Sequence, residues 1–304
     1  MRVGVIGGAG FIGSNLVDAL VERGDDVLVV DNFSTGYRAN ANPAARLTHI
    51  DIATDSEGLV SALHGREVVF HTAALARVPR SIQDPVGTHE SNVTGTVRVL
   101  KAAVDAGVRR VIYSSSSSVY GDQPVLPLTE DMLPDPINPY ACQKLMGEIY
   151  ARNFHRIYKL ETVSLRYFNV YGPRQVTQGA YRLVISIFME QRERGEPLTV
   201  HGDGQQTRDF TWVGDVVRAN MLAASSDRVG AGEAINIGAG REVSINRVAE
   251  LIGGPVVHTA PRGFDERYKR AGIERAKALL GWEPSVQIEE GLARLLGAAD
   301  LAKH

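Results

Sequence analysis

The sequence predicts an α/β fold: a doubly wound parallel sheet joined to a smaller mixed α/β part. Three observations carry this. Short runs rich in β-branched residues alternate with helical patterns from the N-terminus to residue 170. Most of those runs are apolar on both faces, as strands are when helices cover both sides of a sheet. The turn after the first run, Gly7-Gly8-Ala9-Gly10-Phe11-Ile12-Gly13, is rich in glycine.

Strands are expected at Arg2–Ile6, Asp26–Asp31, Leu47–Ile52, Val68–Ala73, Arg109–Ser114 and Thr162–Phe168. Between the first two, Ile12, Leu16, Val17, Leu20 and Val21 recur at helical spacing. Val93, Val97, Leu100 and Val104 do the same before Gly107, which is placed to end that helix. A third helix is expected from Tyr140 to Tyr158. Such repetition implies right-handed crossovers. After Asn169 the rhythm changes. Tyr171-Gly172-Pro173-Arg174 is rich in turn formers. A helix at Arg182–Arg194, strands at Leu198–Val200 and Asp209–Trp212, a helix at Asp215–Ala224 and a strand at Ala234–Ile237 follow. Ile245–Ile252, Ile273–Leu280 and Ile288–Leu296 look helical, and Ala302-Lys303-His304 reads as a fraying end. The expected domains are 1–170 and 171–304, with segments interleaved and the crevice between them as the site.

Composition excludes whole classes. The chain has 304 residues, 33 Lys+Arg against 35 Asp+Glu, and a net charge of -2. That balance gives no electrostatic footprint for nucleic acid and no basic patch for an acidic membrane. The single cysteine, Cys142, allows neither an intrachain disulfide nor a cysteine-cluster metal site. With no apolar run of membrane-spanning length, the reading points to the cytoplasm.

Gly7, Gly10 and Gly13 suit a tight turn, close approach of backbone to a pyrophosphate, and close packing of helix on strand. The helix N-terminus then offers free N–H groups to phosphates. Asp31 ends the second strand 18 residues after Gly13, placed to accept hydrogen bonds from an adenosine ribose. Its charge would repel a 2′-phosphate, so NAD is favoured over NADP in this Rossmann-type arrangement. Tyr140 and Lys144 lie four apart at the start of a helix and share a face. A lysine cation near a phenol of ordinary pKa about 10 favours phenolate, which can exchange a proton with a substrate hydroxyl. The run Tyr113-Ser114-Ser115-Ser116-Ser117-Ser118 would leave the sheet at its carboxyl end, where ligands of open α/β sheets bind.

Together these pieces resemble the extended short-chain dehydrogenase/reductase family, within it the NAD-dependent nucleotide-sugar epimerases and dehydratases, and most closely the UDP-hexose 4-epimerases. The resemblance spans almost the whole chain. Besides the motifs above it rests on Asp31-Asn32-Phe33-Ser34, Asp51-Ile52, His71-Thr72-Ala73-Ala74, Asn92-Val93 and Ser114 to Gly121. It continues through Leu165-Arg166-Tyr167-Phe168-Asn169-Val170-Tyr171-Gly172, Gly202-Asp203-Gly204, Thr207-Arg208-Asp209-Phe210, Asn236-Ile237-Gly238 and Leu280-Gly281-Trp282.

The resemblance implies roles. Phe11 and Ile12, with the three glycines, would meet the NAD pyrophosphate. Asp31 and Asn32 would hold the ribose, with Ser34 and Gly36 in the same loop, and Asp51 and Ile52 the adenine. Ala73, Ala74, Ala76, Asn92, Ser114 and Phe168 would line the cofactor. Ser116, Tyr140 and Lys144 would act on the sugar. Asn169 would hold the nucleotide diphosphate, with Arg208 and Arg262 as clamps and Asp265 in the same set. Thr199, Val200 and His201 would sit near the base. Arg77 and Arg80 read as solvated.

The residues beside Ser116 bear on the reaction. The similar dehydratases carry an Asp-Glu pair there, and decarboxylases the glutamate, where this chain has Ser117 and Ser118. Serine is a poor acid and base near neutrality, which favours epimerisation over dehydration. The implied reaction interconverts UDP-glucose and UDP-galactose, with N-acetylated forms open, through a transient 4-keto sugar. A nucleotide-sugar dehydratase or reductase, and a non-catalytic dinucleotide sensor, are the alternatives. Ala76 departs from epimerases that carry lysine there. The gate on sugar size falls near Tyr268 or Lys269. Gly179-Ala180-Tyr181 resembles epimerases that also accept N-acetylated sugars. Relatives of this kind pair as homodimers through a four-helix bundle, for which the helices at Val93–Val104 and Tyr140–Tyr158 are the candidates.

Overall fold

The computed structural model describes residues 1–175, 183–261 and 267–301. Its strands are β1 (Arg2–Ile6), β2 (Asp26–Asp31), β3 (Arg46–His49), β4 (Val68–His71), β5 (Arg110–Ser116) and β6 (Glu161–Tyr167). They continue as β7 (Val170–Tyr171), β8 (Leu198–His201), β9 (Thr207–Arg208), β10 (Thr211–Trp212), β11 (Ala231–Ile237), β12 (Val243–Ser244) and β13 (Val256–Thr259). The helices are α1 (Phe11–Glu22), α2 (Ser56–Leu63), α3 (Val78–Gln83), α4 (Pro85–His89), α5 (Gly95–Asp105) and α6 (Pro139–Tyr158). After them come α7 (Val184–Glu193), α8 (Val213–Ser225), α9 (Ile245–Ile252), α10 (Glu274–Leu280) and α11 (Ile288–Leu301).

Seven strands form one sheet in the order β11-β6-β5-β4-β1-β2-β3. Every pairing in it is parallel. A parallel strand has to be reached by a crossover, and the helices supply it on both faces. Leu16, Val17 and Leu20 of α1 and Val216 and Ala223 of α8 bury one face. Leu59, Leu63, Val99 and Leu100 of α2 and α5 bury the other. Chain order reverses between β1 and β4, which opens the crevice at their carboxyl ends.

The edge strand β11 comes from the C-terminal half of the chain and pairs with β6. Beyond the sheet, Ile185, Phe188, Leu198, Val200, Phe210, Ile245 and Val248 close a separate apolar cluster. Two-stranded pairs β8–β13, β7–β10 and β9–β12 surround it.

Two expected strands are corrected. The one expected at Leu47–Ile52 ends at His49, because the Asp51 carboxylate accepts the Ala53 N–H at 2.8 Å and turns the chain. The one expected at Asp209–Trp212 is interrupted. Asp209 is turned into the protein, where it accepts N–H groups from Ala239 (2.6 Å), Gly240 (2.9 Å) and Ala271 (2.9 Å). The short strand β13 and helix α2 had no assignment in the sequence reading. Arg182 and the closing 302–304 lie outside the described residues.

Candidate active site

The turn after β1 is built by exclusion. Gly7 has φ of 83°, and a Cβ there would lie 2.6 Å from the Ala73 nitrogen. A Cβ on Gly13 would overlap the Gly7 carbonyl oxygen. Helix α1 starts at Gly10 with no side-chain cap and no acidic residue in its first turn, so its N–H groups stay open to an anion.

A cavity of about 310 Å³ lies over this turn. Gly7, Gly10, Phe11, Ile12 and Gly13 form its floor, and Asp31, Asn32, Ser34, Asp51 and Ile52 one end. Ala73, Ala74 and Ala76 form the opposite wall. Each Asp31 oxygen accepts one backbone N–H, from Ala9 (2.9 Å) and Phe33 (2.7 Å). A carboxylate has lone pairs beyond those two for a ribose diol. Asn32 donates to Asp51 at 3.0 Å, fixing the two ends of this wall to one another.

Some expected cofactor residues act from behind the wall. Asn92 is buried in a short π-helical stretch, Glu90–Thr94, and is fully engaged. It accepts from Leu75 N (2.8 Å) and donates to Leu75 O (3.2 Å) and Gln143 (2.7 Å), so it holds the 73–76 wall from behind. Gly36 is buried against the backbone of Ala9. The Phe168 ring is fully buried beside Tyr120, at 6.3 Å between centroids. Ser114 turns its hydroxyl to Tyr167 at 3.1 Å. Arg77 and Arg80, read as solvated, line the cavity, as do Thr72, Leu75 and Ser91. Leu75 lies within the Ala73 to Ala76 stretch expected to line the cofactor, whereas Thr72 and Ser91 were not expected there, although Thr72 directly precedes that stretch.

Tyr140, Lys144 and Ser116 are not among the residues that line this cavity, but they converge on one another at the end of β5. Asn138 caps α6 by accepting the Ala141 N–H at 2.9 Å, and Tyr140 N donates to Ser81 of α3 at 3.1 Å. Lys144 Nζ donates to the Ser114 carbonyl at 2.7 Å and lies 5.9 Å from the Tyr140 ring centroid. Burial pushes the Tyr140 hydroxyl up to about 12, and a hydrogen bond with Ser116 pulls against that. Burial brings the Lys144 ammonium down to about 7, opposed by the charge of Glu148. The expectation that Lys144 favours the phenolate is corrected for the resting protein: burial outweighs it and keeps Tyr140 a phenol, and the ammonium donates to a carbonyl. The serine run is corrected too. Only Ser116 and Ser118 bond one another at the strand end (2.9 Å), while Ser115 points back to Glu148.

A second cavity, about 360 Å³, adjoins the first at Leu183. Asn169, Thr199, His201 and Arg208 line it together with the apolar Val184, Ile187, Phe188 and Phe210. Asn169 holds φ of 23°, a costly backbone state for a non-glycine residue, and donates to Asp209 O at 3.2 Å. Arg208 Nη1 donates to Thr207 O at 2.8 Å, and His201 shares a 2.8 Å bond with Thr259. Val200 is corrected: strand alternation turns its side chain into the apolar cluster. Tyr171, Gln191 and Gln206 line this cavity and were missed; only Tyr171 lies in a motif the sequence reading had quoted. Tyr268 is exposed and Lys269 buried, and neither lines a cavity described above. Arg262, Asp265 and Gly179-Ala180-Tyr181 lie outside the described residues.

The model of the NAD-dependent epimerase/dehydratase family matches residues 3–238. The chain belongs to that family. A UDP-glucose 4-epimerase of Mycolicibacterium smegmatis is 39% identical over 308 residues, covering 97% of each chain. The crystal structure of UDP-glucose 4-epimerase with UDP-glucose from Thermotoga maritima superposes with TM-score 0.94 at 39% identity, covering 100% of both chains. A UDP-N-acetylglucosamine 4-epimerase from Methanobrevibacter ruminantium, in complex with UDP-N-acetylmuramic acid, gives TM-score 0.90 at 36% identity over 98% of each chain. As an enzyme of this family the protein uses NAD, and the first cavity fits it. Gly7 and Gly13 have no space for a Cβ against Ala73 and the Gly7 carbonyl, so the turn closes tightly and lays its backbone along the cavity, as a pyrophosphate requires. Asp31 and Asp51 put negative charge where a 2′-phosphate would have to sit.

Proposed function

We propose that this protein is a UDP-sugar 4-epimerase that interconverts UDP-glucose and UDP-galactose. The observation that carries the reading is the convergence of Tyr140, Ser116 and Lys144 at the end of β5, with no carboxylate at positions 117 and 118. Bound NAD supplies an oxidant that accepts a hydride, returns it, and carries a positive charge while oxidised. The chain's own residues do the rest. Tyr140 takes the proton of the 4-hydroxyl and gives it back, with Ser116 holding the sugar oxygen in line. Lys144 supplies a positive charge that stabilises the phenolate once the proton moves.

The second cavity takes the nucleotide. Asn169 and Arg208 meet the diphosphate, where a planar guanidinium suits phosphate oxygens. Thr199 and His201 face the base, and Phe188 and Ile187 give it an apolar wall. Residues 1–170 hold NAD and 171–304 the nucleotide sugar, with β11 returning to the first sheet. Arg262 and Asp265 stay in the substrate set on the resemblance alone.

The homodimer reading is supported by α6. Met146, Ile149, Tyr150 and Ile157 are exposed at helical spacing along its outer face. On α5 the corresponding face carries Arg98 and Lys101 with Val97, so the apolar seam belongs mainly to α6. Among the described residues no helix is long and apolar enough to cross a membrane, and we read the compartment as the cytoplasm. Incubating the protein with UDP-glucose and following the sugar H1 signals by NMR tests the reading. Conversion at C4 supports it, and an unchanged or dehydrated sugar rejects it.

A further inference from the structure

Behind the catalytic side chains lies an ion pair that the proposed chemistry does not use. Glu148 sits on α6 one turn after Lys144, on the same buried face, and is 2% exposed. Arg166 of β6, 3% exposed, grips it with two bonds, Nε to Oε1 at 2.9 Å and Nη2 to Oε2 at 2.7 Å. Ser115 donates its hydroxyl to the same carboxylate. Ser115 and Arg166 are register partners across β5 and β6. The Tyr120 ring covers the guanidinium, 4.8 Å from its carbon.

The surrounding serines make the placement specific. Ser114 offers its carbonyl to Lys144, Ser115 its hydroxyl to Glu148, and Ser116 its hydroxyl to Tyr140. Three consecutive residues of β5 thus tie three positions of α6. Burying an ion pair seldom adds stability over apolar residues of the same volume. This pair is not even fully satisfied, since Arg166 Nη1 is buried without a partner. Stability alone is a poor reason for it.

The other groups facing Lys144 do not supply an anion. Tyr113 of β5 puts its ring 5.0 Å from the ammonium, and burial raises its hydroxyl well above the usual range. His71 of β4 is held neutral, burial bringing it down to about 3. Tyr140 is held as a phenol, as is Tyr167 of β6, which reaches this point through Ser114. Arg166 stands behind the carboxylate and is cationic.

We propose that Glu148, clamped by Ser115 and Arg166, is a positioning residue that fixes the turn of α6 carrying Lys144 against the end of β5 and gives that lysine the one anion facing it among the described residues. The inference rests on the proposed epimerase reading, in which Lys144 works as an ammonium. In it the carboxylate opposes the desolvation that brings the ammonium down to about 7.

Glu148→Gln alone strands Arg166, so the test uses Glu148→Gln/Arg166→Met, which removes both charges and keeps the volumes. The lysine Cε signal of Lys144, assigned with Lys144→Met in 13C-lysine-labelled protein, is titrated by NMR. The expected result is a midpoint at least about one pH unit below that of the wild type, the size of shift a nearby charge produces. The alkaline limb of kcat is expected to move down with it, the KM for UDP-glucose to change less than about twofold, and activity to recover at lower pH. A folded double variant with the wild-type titration and pH profile overturns the proposal and leaves the pair as scaffolding. If the double variant does not fold, Glu148→Met/Arg166→Leu, which also removes both charges, is used; a downward shift there supports the proposal and the wild-type titration overturns it. The titration reads Lys144 without turnover, so its outcome is separate from whether UDP-glucose is the substrate.

Discussion

In the proposed reaction, Tyr140 is the residue on which the chemistry turns. Its phenol is held up to about 12, so it is a weak base until a positive charge arrives beside it. Replacing it by phenylalanine removes the proton carrier and leaves the ring packing. Tyr140→Phe is expected to lower kcat by about 10²–10⁴, the range for losing a positioned acid/base, with the amount of bound NAD unchanged. Near-normal turnover would contradict the role. His71 makes a separate prediction about stability. Thr96 donates its hydroxyl to Asn92 O at 2.7 Å, so the 2.9 Å bond with His71 has the Nε2–H as donor. Folded His71 stays neutral to about pH 3, whereas the unfolded chain protonates it near pH 6.5. The unfolded state therefore binds the extra proton, and stability present above pH 6.5 is lost as pH falls toward 3. At pH 5 that amounts to about 2 kcal/mol. Denaturation of wild type and His71→Gln at pH 7 and pH 5 checks it: the variant is expected to lack that part of the acid loss.

Among the elements, α6 serves two ends. Its buried face carries Lys144 and Glu148, and its outer face carries Met146, Ile149, Tyr150 and Ile157. Ile149→Arg/Ile157→Arg adds charge to the outer face only. It is expected to convert a dimer to monomers in light scattering while the far-ultraviolet spectrum stays as in the wild type. A wild-type protein that is already monomeric would remove the premise. How far each element could be read from the sequence follows from which forces decide it. Repeating apolar patterns place β1, β2, α1 and α6 to within about a residue or two, because burial dictates them. The ends of strands were less legible. His49 and Asp209 stop strands because a side chain captures backbone N–H groups, partners that lie two residues away in one case and in distant segments in the other. The site shows the same division. The glycines and Asp31 sit on the cavity where local spacing put them, and Asp51 where the resemblance put it. Asn92, Phe168 and Val200 do not, because their orientation depends on packing across the fold. Arg77 and Arg80 line the cavity for a similar reason: docking of α3 on α6 through Ser81 carries them there.

At the level of the whole molecule, the proposed reading has a chain of net charge -2 bind two diphosphate ligands. In that reading the charge is met by the open N-terminus of α1, by backbone in the glycine turn, and by Arg208. Two cavities that adjoin at Leu183 fit a cofactor on one side and a nucleotide sugar on the other. The sheet reversal between β1 and β4 is what opens the first, and the separate apolar cluster around Phe188 supports the second. The central claim is that this pairing carries out a redox-neutral change at C4 of a UDP-sugar. The measurement that tests it most directly is NMR of UDP-glucose incubated with the NAD-loaded enzyme, with absorbance at 340 nm followed in the same tube. The account predicts UDP-galactose approaching equilibrium with no stoichiometric change in absorbance. A stoichiometric absorbance change, or a product that has lost water or carbon dioxide, would contradict it.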